Sequence, residues 1–125
     1  MSNNSFMSLV VDVGKILLHH IEHVGKYDDL TITYGAATRQ LPYEFNPQNL
    51  DRPLGTLSAY CLELGLPLIS TIVVNKDEGI PGAGYFKTFF PGSKASQRPD
   101  IFMEQYNRVK ACHNWVPLEE KLGLK

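Results

Sequence analysis

Hydrophobic positions recur at steps of three and four residues near the start of the chain, which predicts an amphipathic helix over residues 6–24. Ser5 is the expected N-cap of this helix, and Gly25 is the expected stop. The apolar side chains share one face: Phe6, Val10, Val13, Leu17, Ile21 and Val24. We therefore expect the helix to pack against a core on that side.

Two more helical segments follow. Residues 34–40 form a short predicted helix with Thr33 as its N-cap. Residues 52–64 form a longer one, which Asp51 is expected to cap and Gly65 to end. The positions expected to be buried on this longer helix are Leu54, Leu57, Cys61 and Leu64.

The period then changes from helical to extended. Residues 68–75 are rich in β-branched side chains and predict a strand, and residues 85–90 predict a second strand that pairs back on it. Gly79, Gly82 and Gly84 lie between the two strands, where glycine can adopt positive φ in a turn. They lack the Gly-Lys-Ser/Thr pattern and the following helix start of a phosphate-binding loop. The expected structure is a β-hairpin.

A last helix is predicted over residues 101–112, beginning at Asp100. Three helices, a hairpin and a further helix predict an α+β fold, a mainly helical winged helix-turn-helix-like domain with a β-hairpin wing and an extra C-terminal helix. Residues 1–125 are expected to form this single domain, with a core at about 6–90 and a C-terminal helical extension at about 100–125.

Composition is that of an ordinary soluble protein. The 125 residues are 43% hydrophobic and 20% charged, and the apolar runs are too short to cross a bilayer. The first residues lack the basic start and apolar run of a signal peptide, so we expect a cytoplasmic protein without a membrane partner. Cys61 and Cys112 have no metal-binding spacing and suit a reducing compartment, although a disulfide between them stays open.

Charge points weakly to a partner. The net charge of −1 gives no global attraction to nucleic acid. Residues 79–99, however, contain no acidic side chain and interleave basic with aromatic ones, a pattern that favours a polyanion or a protein partner. These residues are Lys87, Lys94, Arg98, Tyr85, Phe86, Phe89 and Phe90. The alternative is a hairpin with inward aromatic side chains and solvated lysines.

Candidate catalytic and metal-ligating residues are few. His19 and His23 lie four residues apart and could share a metal ion, but no third ligand is apparent and a solvated polar face is the favoured interpretation. Cys112 and His113 are sequence neighbours, which is weak evidence for a thiol enzyme. Cys61 lies on an apolar stripe and is expected in the core. We predict no metal and no cofactor.

Four short motifs occur in a fixed order along the chain. They are Thr33-Tyr34-Gly35, Arg52-Pro53-Leu54-Gly55, Val73-Val74-Asn75 and Gly82-Ala83-Gly84-Tyr85-Phe86. Their order resembles the DNA-binding C-terminal domain of the alkylguanine-DNA alkyltransferases and the alkyltransferase-like proteins. That family has Thr/Ser-Tyr-Gly, a recognition helix opened by Arg-Ala-Val-Gly, a Pro-Cys-His-Arg-Val-Val strand and a Gly-x-x-Gly turn ending in an aromatic residue. The resemblance covers roughly residues 6–90, and no single motif is specific.

The reactive box of that family is missing. Counted back from Val73, it falls on residues 68–71 or 69–72, which are Ser, Thr and aliphatic side chains. The alkyl-accepting cysteine, its activating histidine and the arginine are absent, and the Ser70 hydroxyl has no base in the local sequence. The loop between Tyr34 and Arg52 is also longer than in the family. The resemblance therefore implies a non-enzymatic protein.

The resemblance implies that duplex DNA is the partner. In the family the recognition-helix arginine fills the stack left by a flipped nucleotide, and the motif tyrosine helps to rotate the phosphate; here these roles fall to Arg52 and Tyr34. The expected DNA-binding residues are Tyr34, Arg52, Gly55, Lys87, Lys94 and Arg98. The alternatives are that Arg52 pairs with Asp51 or Glu63 and that Tyr34 packs in the core.

A second hypothesis is a protein-interaction module, such as a small phage or mobile-element inhibitor of a nucleic-acid enzyme. The aromatic segment and the inserted PYEFNPQNLD motivate it, and an acidic patch at Glu44, Asp51 and Glu63 would support it because such a patch repels phosphate. A thiol or metal enzyme would require the histidines or Cys112 to converge in one pocket. The oligomeric state is not predicted.

Overall fold

A computed structural model describes residues 5–25 and 28–125, and shows a mainly helical domain there. The side chain of Ser5, the expected N-cap, lies outside the described part. The helices are α1 (Ser5–Val24), α2 (Tyr34–Thr38), α3 (Asp51–Glu63), α4 (Ala83–Phe89), α5 (Arg98–Ala111) and α6 (Val116–Lys121). Short 3-10 turns occupy Pro47–Asn49, Ile69–Ile72 and Ala95–Gln97. No helix among the described residues is long and apolar enough to cross a membrane.

The sheet consists of two short parallel strands, β1 (Ile32–Thr33) and β2 (Val73–Val74). Ile32 pairs with Val73, and Thr33 pairs with Val74. Parallel neighbours need a long crossover connection, which α2 and α3 supply here. The small sheet thereby fixes the start of α2 beside the segment that follows α3.

Helix α1 forms as its pattern predicts. Val10, Val13 and Leu17 are buried, and Gly25 ends the helix with φ at +81°. Gly14 lets the helix approach α3 and α6 closely, because a Cβ there would lie 2.6 Å from Leu122 Cδ1. The helix is therefore held by packing on one side, as expected.

Helices α2 and α3 begin differently from one another. Thr33 caps α2 as predicted, accepting a hydrogen bond from the Ala36 N–H at 3.1 Å. The predicted cap of α3 is wrong: Leu50 is the N-cap residue, and Asp51 is the first helical residue without a capping hydrogen bond. Its carboxylate lies against α4 instead. Leu64, expected to be buried, is exposed at the end of α3.

The predicted β-hairpin wing is wrong, and the winged-helix order therefore does not appear in the described residues. Residues 69–72 form a 3-10 turn that leaves a two-residue strand, and the second predicted strand is replaced by α4. The Tyr85 ring contacts the rings of both Phe86 and Phe89 in this helix, with centroids 5.0 and 5.8 Å apart, while Lys87 is exposed. The part of the predicted α+β fold that is confirmed is a mainly helical domain with a small sheet, which has two parallel strands.

The C-terminal helical extension predicted at about 100–125 consists of α5 and α6. Helix α5 begins two residues before Asp100 and buries Phe102, Tyr106 and Val109. The Tyr106 hydroxyl accepts from the Leu30 N–H at 3.0 Å, and so fastens the segment before β1 to α5. Helix α5 also packs against the 69–72 turn, so the extension belongs to the same core as the rest of the domain.

Candidate functional site

A cavity of about 510 Å³ opens between α3, α4 and the 69–72 turn. Tyr34, Arg52 and Gly55, three of the expected DNA-binding residues, line it together with Ser70 of the altered reactive box. The remaining lining residues are Phe6, Asp51, Leu54, Thr56, Ala59, Gly84, Tyr85, Thr88 and Phe89. The fold thus gathers residues from separate motifs into one concave surface with aromatic and polar walls.

Tyr34 forms one side of the cavity at the start of α2. Its hydroxyl oxygen accepts a hydrogen bond from the Gly82 N–H at 2.9 Å. Burial raises the pKa of Tyr34, the charge of Asp51 raises it further, and the Gly82 N–H opposes the shift. The phenol is therefore protonated at neutral pH. Because the oxygen accepts from Gly82, its O–H is available to donate to a ligand.

Arg52 lies at the mouth of the cavity in the first turn of α3. Its guanidinium carbon is 5.1 Å from the centroid of the Phe6 ring, a cation–π arrangement that holds the planar group. The alternative of an ion pair with Asp51 or Glu63 is not formed, since within residues 5–25 and 28–125 Arg52 has no carboxylate partner. No described residue therefore competes as an ion-pair partner with a ligand that accepts from the guanidinium.

Two residues that line the cavity, Ser70 and Tyr85, each belong to a buried pair of hydroxyl groups. Ser70 and Ser58 lie 2.6 Å apart through their Oγ atoms, and the Ser70 N–H donates to Ser58 Oγ at 3.0 Å. Thr71 Oγ1 lies 2.6 Å from the hydroxyl of Tyr85, whose pKa burial raises to about 12. Among the described residues Ser70 has no hydrogen bond to an imidazole or carboxylate. The described part of the cavity therefore offers Ser70 no base that could activate it.

Asp51 is the acidic group of the cavity. Its carboxylate closely approaches the backbone of α4: a Cβ at Gly84 would lie 2.8 Å from Oδ2, so a larger residue there would displace the Asp51 side chain. It has no hydrogen-bond or ion-pair partner in the part of the chain that the structure describes. The residue as a whole is exposed, but its carboxylate is partly desolvated. This desolvation raises the pKa of Asp51.

The unpaired carboxylate should cost stability. A raised folded-state pKa means that the cost is absent below 3.8, the ordinary value, and grows as pH rises through the folded pKa. We expect Asp51→Asn to raise Tm slightly at about pH 7 and to leave it unchanged at about pH 3, where both side chains are neutral. Thermal unfolding followed by circular dichroism at both pH values measures this. An equal gain at both would show that charge is not the cause.

The other predicted DNA-binding residues do not line the cavity. Lys87 is exposed on α4, and Lys94 is exposed before the 95–97 turn. Arg98 is half-buried, with its guanidinium carbon 5.1 Å from the centroid of the Phe86 ring. Its Nε is buried without a hydrogen-bond partner among the described residues. The predicted set therefore divides into three residues at the cavity and three elsewhere, and Arg98 is held by packing.

Histidine and cysteine side chains do not converge. His19 and His23 are exposed with their rings 5.8 Å apart and nearly parallel, as on a solvated helix face. Among the described residues no three His, Cys, Asp or Glu side chains are placed to hold a metal ion. Both cysteines are free, so the disulfide left open by the sequence does not form. Cys61 is in the core as expected, and burial raises its pKa to about 11.

Several cavity residues were missed by sequence reasoning. Asp51 was interpreted as a helix cap, and Tyr85 and Phe89 were assigned to a strand. The glycine-rich segment was itself a signal, because glycines also occur where side chains approach a backbone closely, as Asp51 does at Gly84. The sequence did not indicate which side chain would do so.

Comparisons with protein families, with curated proteins and with solved structures found no match to this chain.

Proposed function

We propose that this protein is a non-catalytic DNA-binding protein in which α3 acts as the recognition helix and the cavity receives an unstacked nucleobase. One observation carries the proposal: Tyr34, Arg52 and Gly55, selected from separate motifs of the sequence, line the same cavity. Its volume of about 510 Å³ is within the ordinary range for small-ligand sites. Aromatic side chains on its walls suit a flat heterocycle.

The charges around the cavity support binding of modest affinity to a nucleic acid. Among the described residues, the Arg52 guanidinium and the Tyr34 O–H donate no hydrogen bond, and both side chains line the cavity. Lys87 is exposed on α4, which forms one wall of the cavity. Because the net charge is −1, we expect weak non-specific affinity and a shallow salt dependence.

The altered reactive box supports binding without catalysis. The position that best matches the alkyl-accepting cysteine is Ser70, whose hydroxyl is engaged with Ser58 at 2.6 Å. A serine becomes a nucleophile when an adjacent base removes its proton, and a second hydroxyl is not such a base. The protein is accordingly expected to hold a base without changing it.

The test is fluorescence anisotropy with labelled duplexes at about 50 mM salt, where phosphate contacts are strongest. One duplex is fully paired, one has a central unpaired base, and two carry an alkylated or methylated base. We expect the tightest binding where the central base is unpaired, because the protein then does not pay to break a pair. Folded protein that binds none of them, or binds all equally, would disprove the base-receiving function.

A cavity-filling variant tests whether the cavity is responsible. Gly55 lines the cavity, and a Cβ there would meet nothing within 4 Å, so we expect Gly55→Phe to add a ring at the cavity surface and to reduce the space proposed for the base. We expect it to abolish the preference for the unpaired base while the helical spectrum is kept. Leu62→Phe, at an exposed position of α3 outside the cavity, is the matched control. Equal loss in both variants would count against the cavity.

A second candidate, a protein-interaction module, is favoured by a different surface. A groove beyond the end of α3 is lined by Leu62, Leu66, Pro67, Phe89 and Phe90, and Leu62 is 64% exposed. Glu44 and Glu63 are exposed as well. Retention of a protein partner by wild-type chain but not by Leu62→Asp, together with no binding to any duplex, would favour this candidate over DNA.

A further inference from the structure

Among the residues that the structure describes, Asp51 is the one acidic side chain that lines the cavity, and its position is unusual for a surface that meets DNA. With Tyr34 it also lines an adjoining hollow of about 350 Å³, so the two side chains stand between the two spaces. Gly84 allows the carboxylate to lie against α4. Such placement is not needed to cap a helix, because Asp51 caps neither α3 nor α4.

The carboxylate is an acceptor without a donor. No hydrogen bond or ion pair reaches it from residues 5–25 or 28–125, and the neighbouring guanidinium of Arg52 is over Phe6 instead. The carboxylate is partly desolvated, which raises the pKa of Asp51 and disfavours its charged form, although the residue as a whole is exposed. A ligand that brings an N–H group to Oδ1 or Oδ2 would offset this desolvation.

Nucleobases differ in what they bring. Cytosine, adenine and guanine carry an exocyclic amino group that donates, and a carboxylate can accept from the cytosine amino group. Thymine and uracil present carbonyl oxygens at the corresponding place, and these oxygens repel a carboxylate. Uracil differs from cytosine, and hypoxanthine from adenine, by a carbonyl in place of the amino group and a hydrogen on the neighbouring ring nitrogen, so only the exocyclic donor is lost.

We propose that the cavity selects nucleobases that carry an exocyclic amino group, with the Asp51 carboxylate accepting a hydrogen bond from that group. Aromatic walls hold the ring without distinguishing bases, because every base has a π-face. Asp51 supplies the distinction. This inference rests on the proposed function, since it concerns the base that the DNA presents.

The experiment uses the full chain and four labelled duplexes that differ at one central base. That base is cytosine, uracil, adenine or hypoxanthine, and each is placed opposite an abasic site so that no pair has to be broken. We expect cytosine to be bound about tenfold more tightly than uracil, and adenine to exceed hypoxanthine similarly, as for one hydrogen bond to a charged group.

Asp51→Asn tests the assignment, because the amide is of similar size but uncharged and can donate to a carbonyl as well as accept. We expect the ratio between cytosine and uracil to fall to about one. Glu63→Gln removes the same charge from an exposed position of α3 outside the cavity, and should keep the wild-type ratio. Circular dichroism verifies that both variants are folded.

The outcomes separate this inference from the function beneath it. If the folded wild-type protein binds no duplex, both fail. If duplexes are bound and Gly55→Phe removes the preference for an unpaired base, but cytosine and uracil are bound equally, only the selection by Asp51 fails. It also fails if Asp51→Asn tightens all four duplexes by the same factor, because the carboxylate then acts only as a charge that repels phosphate.

Discussion

Replacing Arg52 by alanine should weaken binding to a duplex with an unpaired central base by about 10- to 100-fold, the range expected for loss of a stacking group. The guanidinium is held over the Phe6 ring, 5.1 Å from its centroid, at the mouth of the cavity. A planar cation in this position can stack in the gap that a displaced base leaves and donate hydrogen bonds there. Fluorescence anisotropy over a salt series measures both the loss and its origin.

The salt series distinguishes stacking from phosphate contact. If Arg52 neutralises a phosphate, its loss should reduce the slope of log K against log salt by about one. If it stacks, the slope should be almost unchanged while affinity falls. Arg52→Lys retains the charge without the planar group, so we expect it to resemble the alanine variant.

Arg108→Ala is the matched control, because Arg108 is an exposed arginine on α5 that does not line the cavity. It should bind with nearly wild-type affinity. Wild-type affinity of Arg52→Ala, or full recovery in Arg52→Lys, would contradict a stacking role.

The sequence predicted the long helices because their apolar stripes and terminal residues agreed. In α1 the buried Val10, Val13 and Leu17 follow the helical period, and the helix ends at Gly25. In α3 the period is equally plain, and Gly65 adopts the expected positive φ of 73°. Its cap was mistaken, because the carboxylate of Asp51 lies beside Gly84, and Leu64, which was expected to be buried, is exposed.

The predicted strands failed because strand propensity depends on neighbours. A β-branched run is stable as a strand when another strand pairs with it. Here β1 offers two residues, Ile32 and Thr33, so only Val73 and Val74 pair and the preceding four residues coil into a 3-10 turn. Helices α2 and α3 separate the two strands along the chain. A parallel pairing between residues so far apart in sequence is not visible in any local sequence pattern.

The candidate site was predictable only in part, because local sequence does not show which distant residues the fold brings together. Tyr34, Arg52 and Gly55 were chosen from motif order, and the fold brings them to one cavity. Lys94 and Arg98 were chosen from local charge, which does not report where a segment packs; Arg98 is engaged with Phe86. A stripe of charge indicates a surface, whereas the convergence of distant residues requires the tertiary structure.

Replacing Phe86 by alanine should produce the largest loss of stability, about 3–5 kcal/mol in the free energy of unfolding. The side chain is fully buried, contacts Tyr85 edge-on with ring centroids 5.0 Å apart, and supports the Arg98 guanidinium. Removing the ring leaves a cavity, and Tyr85 and Arg98 lose their contacts with it. Because domains of this size are stable by about 5–15 kcal/mol, the variant should unfold at much lower urea concentration.

Stability measurements on this segment also distinguish helix α4 from the predicted strand. Consecutive residues of a one-sided strand face opposite ways, so Tyr85 and Phe86 could not both be buried in a hairpin wing. In α4 both are buried, and the Tyr85 hydroxyl lies 2.6 Å from Thr71 Oγ1. Tyr85→Phe should therefore also destabilise, by about 1–3 kcal/mol, because Thr71 loses its buried partner.

Lys87→Ala, at the next and exposed position of α4, is the control for both and should change stability by less than about 0.5 kcal/mol. Urea unfolding curves of the three variants, analysed with a common slope, measure the differences. A loss of less than about 0.5 kcal/mol at either Tyr85 or Phe86 would indicate that this side chain is exposed, as one of the two would be in a strand. Large losses at both, with none at Lys87, are what a helix packed by its aromatic face requires, and that helix carries Gly84 and Phe89 to the wall of the cavity.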